Sequence, residues 1–514
     1  MMPKVEEVIP NNSLLKDRVT SSSVVEERYT ASQVPSSGDS YGVGGSATKL
    51  MIIRVANQND YIDTSTMVLN FKAQALGAGD SAATNLDVAI DDHIFSLVDT
   101  INVKVGGQTV EVLNNVGHLV NGLLQASMPI NYYKQNGGFE GCYVYDKWND
   151  ISGASASVVP DYTGALLLDN RWDVGKAWLQ NGRYYSVPLT LLGLCRLPTL
   201  FAARNFQDIT LEILFKTQVN SACWSRNPLS AGTWGNTSTN YIKISDVTLT
   251  YDCCRMSADY YALMDNELKM PNGSGVAYAI DTYQVQPASI SPGTASSAGA
   301  QIAAPSLTRI VVAKGTRFLK SVYGLTQPTA AESSSAWRNN SQHGNFNFGS
   351  YQVVINSKRY PQLQIQSSAA AFQELQKAYN QLGSIAAGNL ISWFNYVGQP
   401  TERLNAGAIV VGSRNTQDQT GASTKDGTSL GTAPGDEAMF QVGVNLEQFL
   451  TNQPDAGGIN TSTSGYQIAV ELAVNAVSNT TATSALAAAG LTHFVVLHFT
   501  RILTLKAGAV EILD

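Results

Sequence analysis

The sequence predicts an all-β protein made of two tandem domains of the sandwich or jelly-roll kind, each with one short helix inserted after a hairpin. Three observations carry this reading. Apolar residues alternate with polar ones along short runs, as in Ile209, Leu211, Ile213 and Phe215 against Thr210, Glu212 and Lys216. That is period two, the mark of a strand with one buried face. The same order of parts then returns in the second half. Val105-Gly106-Gly107 matches Ile355-Asn356-Ser357 at an offset of 250 (355 minus 105), Val187 matches Phe440 at 253, Ile209 matches Ile468 at 259 and Val247 matches Val496 at 249. Finally, turn residues punctuate the runs at regular intervals, as antiparallel two-sheet domains require.

Taken in order, residues 1–47 are rich in Ser, Val and Gly with mixed charge, a composition that buries too little surface to hold itself folded. They are expected to be an N-terminal arm ordered by neighbouring subunits, with Val24, Val25 and Tyr29 as apolar anchors. The first domain is expected over 48–254, opening with TKLMIIRVAN and YIDTSTMVLNFKAQ, both rich in β-branched and aromatic residues. INVKVGGQTVEVL reads as a hairpin turning at Gly106-Gly107. Behind it Asn115 can cap a helix whose Val116, Leu119, Val120, Leu123 and Leu124 form one stripe. Residues 127–183 lack periodicity but are crowded with aromatics, which predicts an ordered excursion that packs on itself or on a neighbouring subunit. Within it Tyr145, Trp148, Trp172 and Trp178 are the candidate subunit contacts. The run from Arg183 to Lys216 supplies two strands around a Leu197-Pro198 breaker, and YIKISDVTLTYDCC closes the domain with a bulge near Ser245-Asp246.

Residues 255–275 read as a linker, with a helix from Ser257 to Met270 stopped by Pro271-Asn272-Gly273. The second domain, 276–514, repeats the plan through VAYAIDTYQVQ, SLTRIVVAKG, FLKSVYGL and the hairpin SYQVVINSKRYPQLQI. A helix follows with Phe372, Leu375, Tyr379 and Leu382 on one face. The loop 383–439 is rich in Gly, Ser and Thr and is expected to be more exposed than its aromatic counterpart.

Length and composition bound the function. A chain of 514 residues makes two to three domains, and its 44% hydrophobic content suffices for sizeable cores. Only 14% of residues are charged, against about 25% in soluble proteins. A neutral surface suits a chain that buries its outside against copies of itself, and equally a β-rich protein with long polar loops. The net charge of -7 and the lack of any Lys/Arg block argue against direct nucleic-acid binding. No apolar run approaches the roughly 18 residues of a membrane span. The first residues lack the apolar core of a signal peptide, so secretion is not expected. Five sparse cysteines, Cys142, Cys195, Cys223, Cys253 and Cys254, fit reduced thiols inside a cell.

The runs VPLTLLGLCRLP and FQDITLEILF in the first half, SYQVVINSKRYP before the second helix, and FQVGVNLEQF with SGYQIAVEL in the second resemble, in their order and duplication, a known family. It is that of the double jelly-roll major capsid proteins of eukaryotic DNA viruses, of the virophage and polinton-like virus type. The resemblance covers residues 48–514. It implies two eight-stranded jelly rolls side by side and three chains closing into a pseudo-hexameric homotrimer that tiles an icosahedral virion shell. Implied partners are the chain itself, neighbouring capsomers, and penton and minor capsid proteins, with room for an internal membrane beneath the shell. The implied location is the virion, assembled in the host cytoplasm or nucleus, with no cofactor and no metal.

Enzyme motifs fail on context. Gly427-Thr428-Ser429-Leu430-Gly431 matches the nucleophile-elbow pattern, which works only on a sharp strand-to-helix turn, whereas this stretch is a loop. Of the five histidines, His93, His118, His343, His493 and His498, only the last two are close, and their spacing puts them on opposite faces of a strand. The competing reading is a tandem β-sandwich that binds carbohydrate through exposed loop aromatics.

Overall fold

The computed structural model describes residues 24–45, 47–55, 59–77, 88–90, 93–129, 182–206, 208–225, 241–269, 276–290, 306–329, 340, 343, 348–382, 391, 396, 401–405, 408–412, 440–447, 458–462, 466–474, 490–506 and 509–513. The first half contains β1 (Val25–Gln33), β2 (Ser40–Val43), β3 (Leu50–Val55), β4 (Tyr61–Leu76), β5 (Val88–Ile90), β6 (Val98–Val105), β7 (Gln108–Asn114), β8 (Arg183–Pro188), β9 (Ile209–Phe215), β10 (Cys223–Ser225) and β11 (Tyr241–Met256). The second contains β12 (Val276–Ile290), β13 (Ser306–Val312), β14 (Phe318–Pro328), β15 (Phe348–Ile355), β16 (Lys358–Ile365), β17 (Thr401–Asn405), β18 (Ala408–Gly412), β19 (Gln441–Asn445), β20 (Ile468–Val474), β21 (Leu491–Lys506) and β22 (Ala509–Leu513).

Two sheets make each half. In the first they run β1-β11-β4-β8 and β3-β9-β6-β7, and in the second β12-β21-β14-β19 and β13-β20-β15-β16. β2 pairs with β11 in line with β1, and β22 pairs with β21 beyond the end of β14, while β5-β10 and β17-β18 are separate ribbons. Without these six, the eight remaining strands of each half obey one rule: the first, eighth, third and sixth form one sheet and the second, seventh, fourth and fifth the other. All pairs are antiparallel. This is jelly-roll wrapping, executed twice. The four sequence landmarks join strands of equal rank: the β6–β7 and β15–β16 turns, β8 with the start of β19, β9 with β20, and β11 with β21.

Local chemistry explains the elements. Gly106 and Gly107 take φ of +55° and +79°, and Asn356 and Ser357 take +46° and +68°. Two successive positive φ values are what a two-residue hairpin turn needs to match strand twist. In β9 the predicted alternation holds, with Ile209, Leu211, Ile213 and Phe215 all buried. The β11 bulge also stands where expected, since its register on β4 breaks between Ser245 and Thr248 and Asp246 has φ +53°.

Three helices matter. α1 follows β7 as Val116–His118, a π-helical Leu119–Leu124 and Gln125–Ser127. Its expected cap is not made: Asn115 sits at φ +52° with no side-chain bond, and its left-handed backbone turns the chain out of the strand. α2 (Ala258–Lys269) links the halves. α3 (Ser368–Ala378) is capped by Ser367, whose hydroxyl accepts from the Ala370 N–H at 3.2 Å. It stops at Asn380, φ +54°, with Gln381 N–H bonded back to Gln376 C=O at 2.8 Å. Leu382 therefore lies past the helix and is 55% exposed, off the predicted stripe, while Leu375 is fully buried.

Of the arm expected over 1–47, residues 1–23 lie outside the described residues, and the part that is described is not free of the first roll. Val25–Gln33 is an edge strand of the first sheet and Ser40–Val43 pairs with β11 as well. The composition argument weighed burial alone, and β1 is held mainly by its backbone ladder. Most of its side chains are exposed; Arg28 reaches Asp63 and Asp252 at 3.0 and 2.9 Å, and Tyr29 donates to Asp60 at 2.5 Å. The proposed first-domain end at 254 likewise falls inside β11. No helix among the described residues is long and apolar enough to cross a membrane.

Candidate assembly surfaces and the seam between the rolls

β7 ends the β3-β9-β6-β7 sheet, and in this chain the second roll covers that edge. Glu111 of β7 is wholly buried, its carboxylate accepting the Gly193 N–H at 3.0 Å to each oxygen and the Thr282 hydroxyl of β12 at 2.7 Å. Burial pushes this carboxyl up, while Thr282, Gly193 and the Arg196 guanidinium pull the other way. Gly193 has no room for a side chain: a Cβ there would lie 2.1 Å from the Asp281 carbonyl oxygen.

Around this contact the seam is polar but paired. Arg196 donates to the Asp281 carbonyl at 2.6 Å and lies 5.5 Å from the Tyr283 ring. The Asp281 carboxylate accepts from Lys320 at 2.7 Å and Thr500 at 2.5 Å. Lys216, at the end of β9, is also buried and donates to the Ser221 carbonyl at 2.8 Å and the Asn340 side chain at 2.5 Å. Arg501 of β21 donates to the Val110 carbonyl of β7 at 2.5 Å. Beside it a cleft of about 240 Å³ is walled by Val112, Asn114, Tyr283, Gln284 and Lys314.

Aromatic groups lock the two ends. The Tyr278 hydroxyl accepts the Ala202 N–H at 2.8 Å and donates to the Leu200 carbonyl at 3.1 Å, its ring 5.1 Å from Phe201 and 5.7 Å from Phe206. On α1, His118 stacks on Phe494 of β21 at 4.2 Å and meets His343 edge-on at 5.7 Å. Burial first, then Lys216 and His343, hold His118 well below the usual imidazole range, and burial takes His343 to about 3. α1 and α3 touch through the Tyr379 hydroxyl, which donates to the Leu123 carbonyl at 3.2 Å. One cluster of buried apolar side chains runs through both rolls.

The sequence-predicted residues fall differently. Tyr145, Trp148, Trp172 and Trp178 lie outside the described residues, as do Ser429 and Cys142. Cys195, Cys223, Cys253 and Cys254 are buried free thiols. His493 and His498 do occupy opposite faces of β21: His493 bonds Thr326 at 2.8 Å inside the second roll, and His498 stacks on Tyr283 at 4.7 Å on the seam side. Among the described residues no group of three or more His, Cys, Asp or Glu could hold a metal. Sequence reasoning missed Glu111 and Lys216: Lys216 shares the phase of Thr210 and Glu212, and a bulge in β7 sets Glu111 opposite buried Val103. The glycines opposite them, Gly193 and Gly117, were the available signal: a Cβ on Gly117 would stand 2.3 Å from the Asn340 side chain.

No protein-family model and no curated protein sequence matches the chain. Solved structures do. It is similar to VP54 of PBCV-1 fitted into a cryo-EM reconstruction of the virophage Sputnik, at 9% identity over 96% of this chain and 98% of that one, TM-score 0.52. The Faustovirus major capsid protein matches at 9% identity over 95% and 92% of the two chains, TM-score 0.52. The mavirus major capsid protein matches at 9% over 100% and 96%, TM-score 0.50. Identities this low speak to architecture, and with the strand order repeated in both halves they establish that this chain has the double jelly-roll fold.

Proposed function

We propose that this protein is a major capsid protein, a structural subunit and not an enzyme, three copies of which close into a pseudo-hexameric homotrimer that tiles an icosahedral virion shell. The observation that carries the reading is the buried seam, in which Glu111, Lys216, Arg196 and Tyr278 all find hydrogen-bond partners. It makes two like rolls into one block, so three chains offer six similar rolls around a true three-fold axis. The full-length likeness to capsid proteins supports it. Penton and minor capsid proteins are the further partners proposed, with an internal membrane beneath the shell and assembly inside the host cell.

Tyr145, Trp148, Trp172 and Trp178 are proposed to anchor adjacent subunits, since large rings freeze few rotamers per area buried. Light scattering and negative-stain imaging of the purified chain test the function: discrete trimers or shells are expected. A monomer that binds glycans would replace this reading with the carbohydrate-binding one. Replacing Trp172 and Trp178 with alanine should yield folded monomers, and a stable trimer would place those rings inside their own subunit.

A further inference from the structure

Resting on the trimer reading above, we propose that β16 of one chain docks along β1 of the next copy, repeating between chains the contact that β7 makes with β12 within one. The internal duplication supplies the template. β7 and β16 are both fifth in their rolls, and β12 and β1 are both first. Inside the chain the fifth strand is covered by the first strand of the following roll. Among the described residues β16 has no strand beyond it and β1 has none outside it, so the same pair of edges is left open across the subunit boundary.

Direction and chemistry both fit. In the seam, residue numbers rise together: Val110 meets Arg501, which lies opposite Ile280; Glu111 meets Thr282; Val112 and Asn114 wall the cleft with Tyr283 and Gln284. The start of β16 therefore maps onto the start of β1. β16 begins with Lys358 and Arg359, both exposed, and β1 begins near Glu26 and Glu27, both exposed, Glu27 also holding Arg255 of its own chain at 2.8 Å. Register agrees, because Val276 pairs with Leu505 and Glu27 with Arg255, at the 250 offset (505 minus 255) that also relates the β21 and β11 starts. Among the described residues Arg359 lies 3.9 Å from Glu471.

Further along, the two largest exposures on these edges come opposite one another. Leu363 stands eight residues past Ile355, as Leu113, which is buried in its own roll between the cleft residues Val112 and Asn114, stands eight past Val105. The β16 register breaks between Tyr360 and Ile365, and the bulge presents Leu363 outward at 85% exposure. Its counterpart position on the next chain is the end of β1, where Val34 is 61% exposed. Cations then face anions and apolar faces apolar, which sets orientation as well as contact.

The test uses the full chain and its trimer–monomer equilibrium by analytical ultracentrifugation. Lys358→Glu with Arg359→Glu, and separately Glu26→Lys with Glu27→Lys, should each weaken the trimer about tenfold or more, and the four changes together should restore it. Leu363→Cys combined with Val34→Cys should give chain-to-chain disulfides on mild oxidation, seen as covalent trimers on a denaturing gel. A wild-type trimer indifferent to both charge pairs, or weakened by each without recovery in combination, overturns this docking and leaves the capsid reading standing. A wild-type monomer overturns that reading and the docking with it.

Discussion

Tyr278→Phe isolates the seam. The change removes one oxygen and keeps the ring, so the packing on Phe201 and Phe206 survives. What is lost is the partner of the Ala202 N–H, 2.8 Å away in a site with no exposed surface. An orphaned buried donor costs about 1–3 kcal/mol. The Leu200 carbonyl also loses its 3.1 Å bond, but Leu200 is only partly buried and water can replace the hydroxyl there. A destabilisation of about 2 kcal/mol follows. With a urea slope of about 3 kcal/mol/M or more for a chain this size, the midpoint falls by up to about 0.7 M. Far-UV circular dichroism against urea measures it, with Tyr184→Phe as the control. Tyr184 is 64% exposed and bonds Asp246 at the surface, so its change should leave the midpoint where it was. Equal midpoints for both variants would refute the claim that Tyr278 couples the rolls.

Gly193→Ala should cost about 1–3 kcal/mol, because its Cβ meets rigid backbone at 2.1 Å; a melting temperature unchanged by calorimetry would mean the rolls sit further apart. Acid should weaken the fold. Burial takes His93, His343 and His493 to about 3, from about 6.5 unfolded. Between those values the unfolded chain binds more protons, so stability is full above about pH 6.5 and falls by about 2 kcal/mol per histidine at pH 5. Melts from pH 7.5 to 4.5 check this, and a flat profile contradicts it. Glu111 has the opposite sign: its raised carboxyl stabilises below the unfolded value and loses that contribution as pH rises through the folded one. Glu111→Gln should therefore reduce the loss of stability that sets in as pH rises above the ordinary carboxylate range, read by extending the melts to about pH 9.

The alternation of β9, the paired-glycine turn and the offset near 250 were enough to read two rolls from the sequence, because each is a local or periodic signal. β1 was not legible for the reason that it is an edge strand. VEERYTASQ buries little, and its hold is a backbone ladder to β11, more than two hundred residues away, which leaves no trace in composition. Glu111 and Lys216 were illegible for a related reason. Lys216 has the phase of a solvent-facing residue, Glu111 is turned inward by a bulge in β7, and each takes one partner from the other roll. Seam chemistry is long-range by construction, so only the small residues that must yield space, Gly193 and Gly117, carry a mark of it in the sequence.

Two rolls of one plan pose a pairing problem, since any fifth strand resembles any other to any first strand. The buried charges answer it by making one pairing much cheaper than the rest. Glu111 is satisfied only where Gly193 and Thr282 converge, and β16 carries Tyr360 and Pro361 at the corresponding place, with no carboxylate. If β7 met the β1 of another copy, Glu111 would be buried without the Thr282 hydroxyl. Leaving a buried polar group short of a partner costs about 1–3 kcal/mol, enough to disfavour that pairing. On the docking proposed for the exposed edges the strategy is the opposite, since Lys358, Arg359, Glu26 and Glu27 are exposed, Glu27 already holds Arg255 at 2.8 Å, and such surface pairs are weak one by one. A seam that must form once within each chain is thus specified by buried groups. Edges that would find a partner reversibly, as proposed for β16 and β1, are suited to exposed charges instead.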